Sequence, residues 1–426
     1  MNSEILKIAL PSIVSNITVP LLGLIDVAIV GHMGDASYIG AVAVGSMIFN
    51  VICWLFGFLR MGTSGMTSQA YGADEDQRCA NILVMSLFVG LIIGLLFVVF
   101  QSLVEWGAMA AMSPQADILP YARQYFYVCI WGVPASLGLY SLNGWYIGMQ
   151  NTKVPMAVSI MQNIINIVCS LTFVYAFDMK VEGVALGTVI AQYSGFVLSL
   201  LILQSHYPKY VKLCSIKTAI VQIGIKKFFR VNSDIFVRTL FLVGVNFMFT
   251  ASGAKQGAVV LAVNTLMYQF FTFFSYVMDG FAYAGEAIGG KYYGANDKQM
   301  FRGVVKNLFK WGMLLCVVYT IVYYLFGSDI IRLLSNETDV VKASADYMLW
   351  VCLIPLAGMA AFVWDGLYIG ITATRGMLIS SMIGAVVFFM VYYVFYSSYA
   401  NHALWMALLM FLFTRGLVQT LLWRRM

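Results

Sequence analysis

An all-α integral membrane protein of twelve transmembrane helices, in two six-helix lobes related by a parallel, pseudo-twofold repeat, is the fold class this sequence predicts. Three observations carry it. Hydrophobic residues make up 61% of the chain and charged residues 10%, against about 25% charged in a typical soluble domain. Most of the surface therefore has lipid as its solvent. The 426 residues break at charged clusters, glycines and prolines into twelve apolar runs, each long enough for the about 20 residues a helix needs to cross a bilayer. Short similar stretches also recur at one fixed separation of 222 residues.

The first run, 5–31, follows the polar opening "MNSEILK" with no small-residue cleavage site behind a short apolar core. It is expected to be a retained helix, not a removed signal peptide. Runs 39–68, 81–104 and 121–149 come next, separated by "ADED" and "SPQAD". Runs 155–177 and 182–205 complete the first half, with "DMK" between them. A basic stretch leads into the second half: runs 228–252, 257–286, 301–326, 342–371, 377–397 and 401–423. All are far longer than the about 10 alternating residues of a barrel strand.

Loop charge tests this count. With both termini in the cytoplasm, seventeen Lys and Arg fall on inside segments and five (Arg123, Lys180, Lys255, Arg332, Lys342) outside, leaving Arg60, Arg238 and Arg415 within spans. That bias is what the positive-inside rule expects, and one missed span would scramble it. The predicted location is the cytoplasmic (inner) membrane, multi-pass.

The repeat is read from four matches at the same offset. "NGWYIGMQNTK" (143–153) aligns with "DGLYIGITATR" (365–375), and "YGADEDQ" (71–77) with "YGANDKQ" (293–299). Tyr125 pairs with Tyr347 and Ser113 with Ser335. Six spans per half keep both copies in one orientation, so the repeat is parallel. The predicted organisation is an N-lobe at 1–205, a cytoplasmic linker at 206–227 and a C-lobe at 228–426.

Several function classes fall away. The seven cysteines are scattered, mostly inside apolar runs and without a CxxC pair, and thiols there behave as small hydrophobes. The net charge of +6 sits at membrane edges, which points to orientation and not to nucleic acid. The three histidines (32, 206, 402) lie in predicted loops or at helix ends, with no HExxH and no Ser–His set, so no enzyme is expected.

What remains unusual is the polar content of the spans. A charged side chain at the bilayer centre costs about 2.5–3.5 kcal/mol and needs a partner or a wet cavity. In the first helix, "LLGLIDVAIVGH" places Asp26 with no basic residue within a turn. Ser12, Ser15 and Asp26 share one face at about 100° per residue, and Pro20 is expected to bend the helix before Asp26. Asn163, Asn166 and Ser170 share a face of helix 5. Helix 8 carries Tyr268, Thr272, Ser275, Asp279, Tyr283 and Glu286, and helix 10 carries Asp365, Tyr368 and Thr372. Such groups often only join helices through hydrogen bonds. Arg238 is a candidate ion-pair partner for Asp279 or Asp365, which would make the acid it meets structural. Glu286 ends helix 8 beside Lys291, where a solvated end and a site are both open. Because desolvation penalises a carboxylate's charged form, an embedded acid can gain and lose a proton, and its neutral state lets helices close around it.

At these residues the sequence resembles the multidrug and toxic compound extrusion (MATE) transporters, specifically the DinF branch. The matching stretches are "LPSIVSNITVPLLGLIDVAIVGHMG", "VNSDIFVRTL", "MDGFAYAGEAIGGKYYGA" and "WDGLYIGITATRGM". The resemblance runs over nearly the whole chain and implies a twelve-helix antiporter. Such a protein exports organic, often cationic and amphipathic compounds against inflow of protons or sodium. It makes Asp26 the focal carboxylate of the N-lobe cation site, Asn166 and Thr188 its polar neighbours, and Asn143 and Tyr125 pocket positions. Family members often have a second Asp where Ser170 stands, and a hard cation wants several oxygens, so proton coupling is favoured over a sodium cage. Asp365 resembles the helix 10 acid that the NorM branch uses for sodium, but helix 7 offers Arg238 and no membrane glutamate. Asp279 is expected to face the C-lobe cavity, contacting substrate or Arg238.

The 25 Met, 30 Phe and 25 Tyr suit loose recognition of flat or cationic apolar molecules, although most must pack helices or face lipid. The expected function is therefore proton-coupled export of organic compounds by alternating access, with no cofactor, by a monomer whose partners are small substrates and membrane lipid. Sodium-coupled export of the same class and flipping of lipid-linked precursors are the alternatives.

Overall fold

A computed structural model describes residues 1–31, 36–335 and 337–424, without the side chains of 19–24, 27, 36 and 227. The expected bend at Pro20, the loop histidine His32 and the inside charge of Arg425 thus lie outside the described side chains.

Every regular element among the described residues is a helix. Eleven are long and apolar enough to cross a membrane: α2 (Ser37–Gly72), α3 (Asp76–Val99), α4 (Leu119–Gly148), α5 (Lys153–Ala176), α6 (Val181–His206), α7 (Phe228–Lys255), α8 (Ala258–Gly294), α9 (Lys298–Leu334), α10 (Thr338–Gly370), α11 (Thr374–Tyr399) and α12 (Asn401–Trp423). The first helix, α1 (Asn2–Gly31), makes the twelfth. Large apolar side chains such as Val99, Phe247, Tyr324 and Leu349 stay exposed, as a lipid-facing surface requires.

The helices gather into two compact units, Leu10–Phe229 and a second made of Met1–Ala9 with Arg230–Met426. Each unit has the same internal plan. In the first, α4 packs on α2, α3 and α6, while α5 pairs with α6. In the second, α10 packs on α8, α9 and α12, while α11 pairs with α12.

The repeated motifs explain why the plan recurs. "YGADEDQ" and "YGANDKQ" each end a helix with a left-handed residue, Asp74 and Asn296, both at φ 56°. Asp and Asn tolerate that conformation because their short polar side chains bond locally. The turn closes in both copies, Glu75 N–H to Ala70 O at 2.9 Å and Asp297 N–H to Tyr292 O at 3.0 Å. The "GxYIG" motifs form the tight helix crossings. A Cβ on Gly144 would fall under 3.0 Å from the Arg60 carbonyl oxygen, and one on Gly366 under 3.0 Å from that of Ala282. Only glycine lets two backbones approach so closely.

In the first unit, the chain after α6 folds back onto the start of α3. Short helices Pro208–Lys212 and Ile216–Ile223 lie there. Lys209 pairs with Asp76, the Gln77 amide donates to Leu213 O at 3.0 Å, and the Asn81 amide donates to Gln222 Oε1 at 2.6 Å. The stretch expected to be the linker is thus partly docked on α3.

Candidate functional site

Asp26 is buried near the end of α1, at 8% exposure. Its Oδ1 is enclosed and has no hydrogen-bond partner among the described residues. No ion pair among the described residues includes it. Tyr125 and Cys129 on α4 lie within its electrostatic reach. Tyr125 is itself buried, its ring seated on Gly45 of α2 and its hydroxyl 3.3 Å from that of Ser46.

The α5 face forms a polar seam. Asn166 Nδ2 donates to Thr188 Oγ1 of α6 at 3.0 Å, and Ser170 Oγ reaches Asn166 Oδ1 at 3.5 Å. Thr188 Oγ1 donates in turn to Val184 O at 3.1 Å. One turn earlier, Asn163 Nδ2 donates to Thr18 O at 3.1 Å, fastening α1 to α5. Ser170 is fully buried against Gly187, whose lack of a side chain admits it. The Oδ1 of Asn143 and the Oε1 of Gln192 are buried acceptors without donors. The first unit therefore holds several enclosed side-chain oxygens with no hydrogen-bond partner among the described residues. A buried polar group left so usually signals a ligand, ion, water or function.

The second unit treats its acid in the opposite way. Asp365 on α10 is 6% exposed and accepts from three side chains. Arg238 of α7 pairs with Oδ2, Arg415 of α12 donates to the same oxygen at 2.6 Å, and Gln419 donates to Oδ1 at 2.6 Å. Of the two acids open to Arg238, Asp365 is the one it meets. Asp279, half-buried on α8, lies within electrostatic reach of Arg415. Arg415 and Gln419 are the members that sequence reading left unassigned. The available signal was their i, i+4 spacing, which puts both on one face of the last span.

The rest of the stripe disperses. Tyr368 is fully buried and its hydroxyl donates to Gln419 O at 2.8 Å. Tyr268 donates to Asn246 of α7, and Tyr283 is half-buried. Glu286 is 1% exposed inside a widened π-helical turn, Gly285–Gly289, so it is not a solvated helix end. Among the described residues no cluster of three His, Cys, Asp or Glu side chains could hold a metal.

Comparison with known proteins places this arrangement. The MatE family model matches residues 11–172 and 235–394. The chain is 36% identical to DNA damage-inducible protein F of Escherichia coli (strain K12), over 98% of this chain and 91% of that one. It is 23% identical to a probable multidrug resistance protein NorM of Photorhabdus laumondii, over 89% of this chain and 84% of the relative. A crystal structure of the Vibrio cholerae MATE transporter VcmN superposes with a TM-score of 0.87 at 15% identity, covering 99% of this chain and 96% of that one. The twelve helices, the repeated plan and these matches together show that the chain is a multi-pass membrane protein belonging to the MatE family of transporters.

Proposed function

We propose that this protein is a secondary antiporter that exports organic, amphipathic or cationic compounds in exchange for inward protons, with Asp26 as the coupling group. The observation that carries the reading is the contrast between two of its buried acids, Asp26 and Asp365. Asp365 is neutralised by Arg238 and Arg415, whereas Asp26 has an orphaned oxygen and no basic partner among the described residues. A carboxylate without a fixed counter-charge can change its charge by taking a proton, while one held by two guanidiniums already has its charge compensated. In this reading the polar residues Tyr125, Asn143, Asn166, Ser170 and Thr188 of the first unit serve that change of charge.

Proton transfer to Asp26 would relieve the cost of an isolated charge and favour closure of the helices around it; substrate arrival on the opposite face would favour its loss. A ligand or proton shifts such an equilibrium only through its differential affinity for the two states. The lobes at 1–205 and 228–426 would alternate access, both termini facing the cytoplasm and the chain acting as a monomer in the inner membrane. The flippase alternative would need free intramembrane cations to meet phosphates. Two of the three, Arg238 and Arg415, spend guanidinium nitrogens on Asp365.

Transport of a fluorescent organic cation into inverted vesicles, under an imposed proton or sodium gradient, tests the reading. Proton drive that disappears in Asp26→Asn supports it. Drive by sodium alone, indifferent to pH, would replace the proton with sodium. No cation transport under either gradient would sink the substrate class.

A further inference from the structure

The second unit has a cavity at the start of α9 that the export reading does not use. Its volume is about 770 Å³, within the about 300–1,000 Å³ of small-molecule sites. Tyr293, Phe301 and Trp423 form an aromatic wall, with Phe301 5.7 Å from Trp423 and 5.8 Å from Tyr293 between ring centres. Lys298, Arg302 and Lys306 also line it, together with Asp297.

The repeat shows what kind of surface this is. The equivalent place in the first unit, 222 residues earlier, is the start of α3, which the docked stretch 208–223 covers. There an acidic start, Asp74, Glu75 and Asp76, meets a basic cover through the Lys209–Asp76 pair. At the start of α9 the charge is reversed. Lys298 stands where Asp76 stands, and Arg302 and Lys306 replace Ala80 and Val84. Of the nearby carboxylates, Asp297 lines the cavity and caps α9 by accepting from Met300 N–H at 2.9 Å, while Glu4 accepts from Tyr292 at 3.2 Å and pairs with the N-terminal ammonium at 3.1 Å. Three basic side chains against one carboxylate give the lining a net positive charge, which favours an anionic occupant.

It must also be apolar at one end. The exposed face bearing Arg302, Lys306 and Lys310 continues along α9 as Met313, Leu314, Val317 and Ile321, all about half exposed. A phosphate held by the basic residues would leave acyl chains lying along that apolar strip. Basic pockets at the cytoplasmic ends of membrane helices suit acidic headgroups for the same reason.

We propose that this cavity is a binding site for an anionic phospholipid, its phosphate held by Lys298, Arg302 and Lys306 and its acyl chains on the outer face of α9. This site is separate from Asp26 and stands whichever ion drives export.

Native mass spectrometry of the full chain, released from micelles with phosphatidylglycerol or phosphatidylcholine, reads it directly. Wild type is expected to retain phosphatidylglycerol in clear preference. The double variant Arg302→Gln/Lys306→Gln should bind it about thirtyfold more weakly from the loss of two basic contacts. Lys298→Gln should shift binding in the same direction. Both changes are on an exposed surface, so folding is expected to persist. Lys217→Gln/Lys226→Gln, which removes equal charge from the stretch before α7, should change nothing. Equal retention of both lipids, equal loss in the Lys217/Lys226 variant, or displacement of the lipid by millimolar inorganic phosphate would each overturn the proposal.

Discussion

Arg415 and Asp365 meet across α12 and α10 at 2.6 Å, both more than nine-tenths buried, with Arg238 on the same carboxylate oxygen. Removing one member of a buried ion pair strands the other, at a cost of about 3–5 kcal/mol. Asp365→Asn strands two guanidiniums and is expected to lower the unfolding midpoint more than Arg238→Gln or Arg415→Gln. Thermal unfolding of the purified variants checks this, and an Asp365→Asn protein as stable as wild type would refute it.

The paired crossings at Gly144 and Gly366 should be equally intolerant. In each, an added methyl meets a backbone oxygen that cannot swing away. Gly144→Ala and Gly366→Ala are each expected to destabilise by about 1–3 kcal/mol, the usual cost of overpacking. Gly244, with open space around it, should accept alanine without loss and even gain slightly from helix propensity. Denaturant titration of the three variants separates the cases.

Asn264, Asn401 and Trp405 form a closed buried network in the second unit. The two amides exchange hydrogen bonds at 2.8 Å, and Trp405 Nε1 donates to Asn264 Oδ1 at 2.9 Å. Asn264→Leu leaves the Asn401 amide and the indole without partners, at about 1–3 kcal/mol per stranded group. Adding Asn401→Leu should recover part of that loss. A double-mutant cycle measures the coupling, and strict additivity would contradict the network.

For Asp26, the proposal makes a graded forecast. Asp26→Asn is expected to remove dependence of transport on an imposed pH gradient, while a bound fluorescent cation is still retained. Asn166→Ala loses one donor to Thr188 and one acceptor for Ser170, worth about 1 kcal/mol each, and should slow transport while leaving its pH dependence in place. Loss of pH dependence in Asn166→Ala, with its retention in Asp26→Asn, would move the coupling role.

The turn at Asp74 and its copy at Asn296 show how much of this molecule is local. Span length, charge at the span ends and the left-handed turn residues act over a few neighbours, so the twelve helices and the repeat could be read from the chain alone. The isolation of Asp26 from basic neighbours along its own helix was legible for the same reason. The fate of Asp365 was not. Its partners lie 127, 50 and 54 residues away in the chain, and only the crossing of α7, α10 and α12 selects Arg238 for it over Asp279 and adds Arg415 and Gln419. The burial of Glu286 and the docking of 208–223 onto α3 were likewise decided by packing. Helices form from periodicity carried by each segment; which acid is neutralised depends on distances between segments that no periodicity contains.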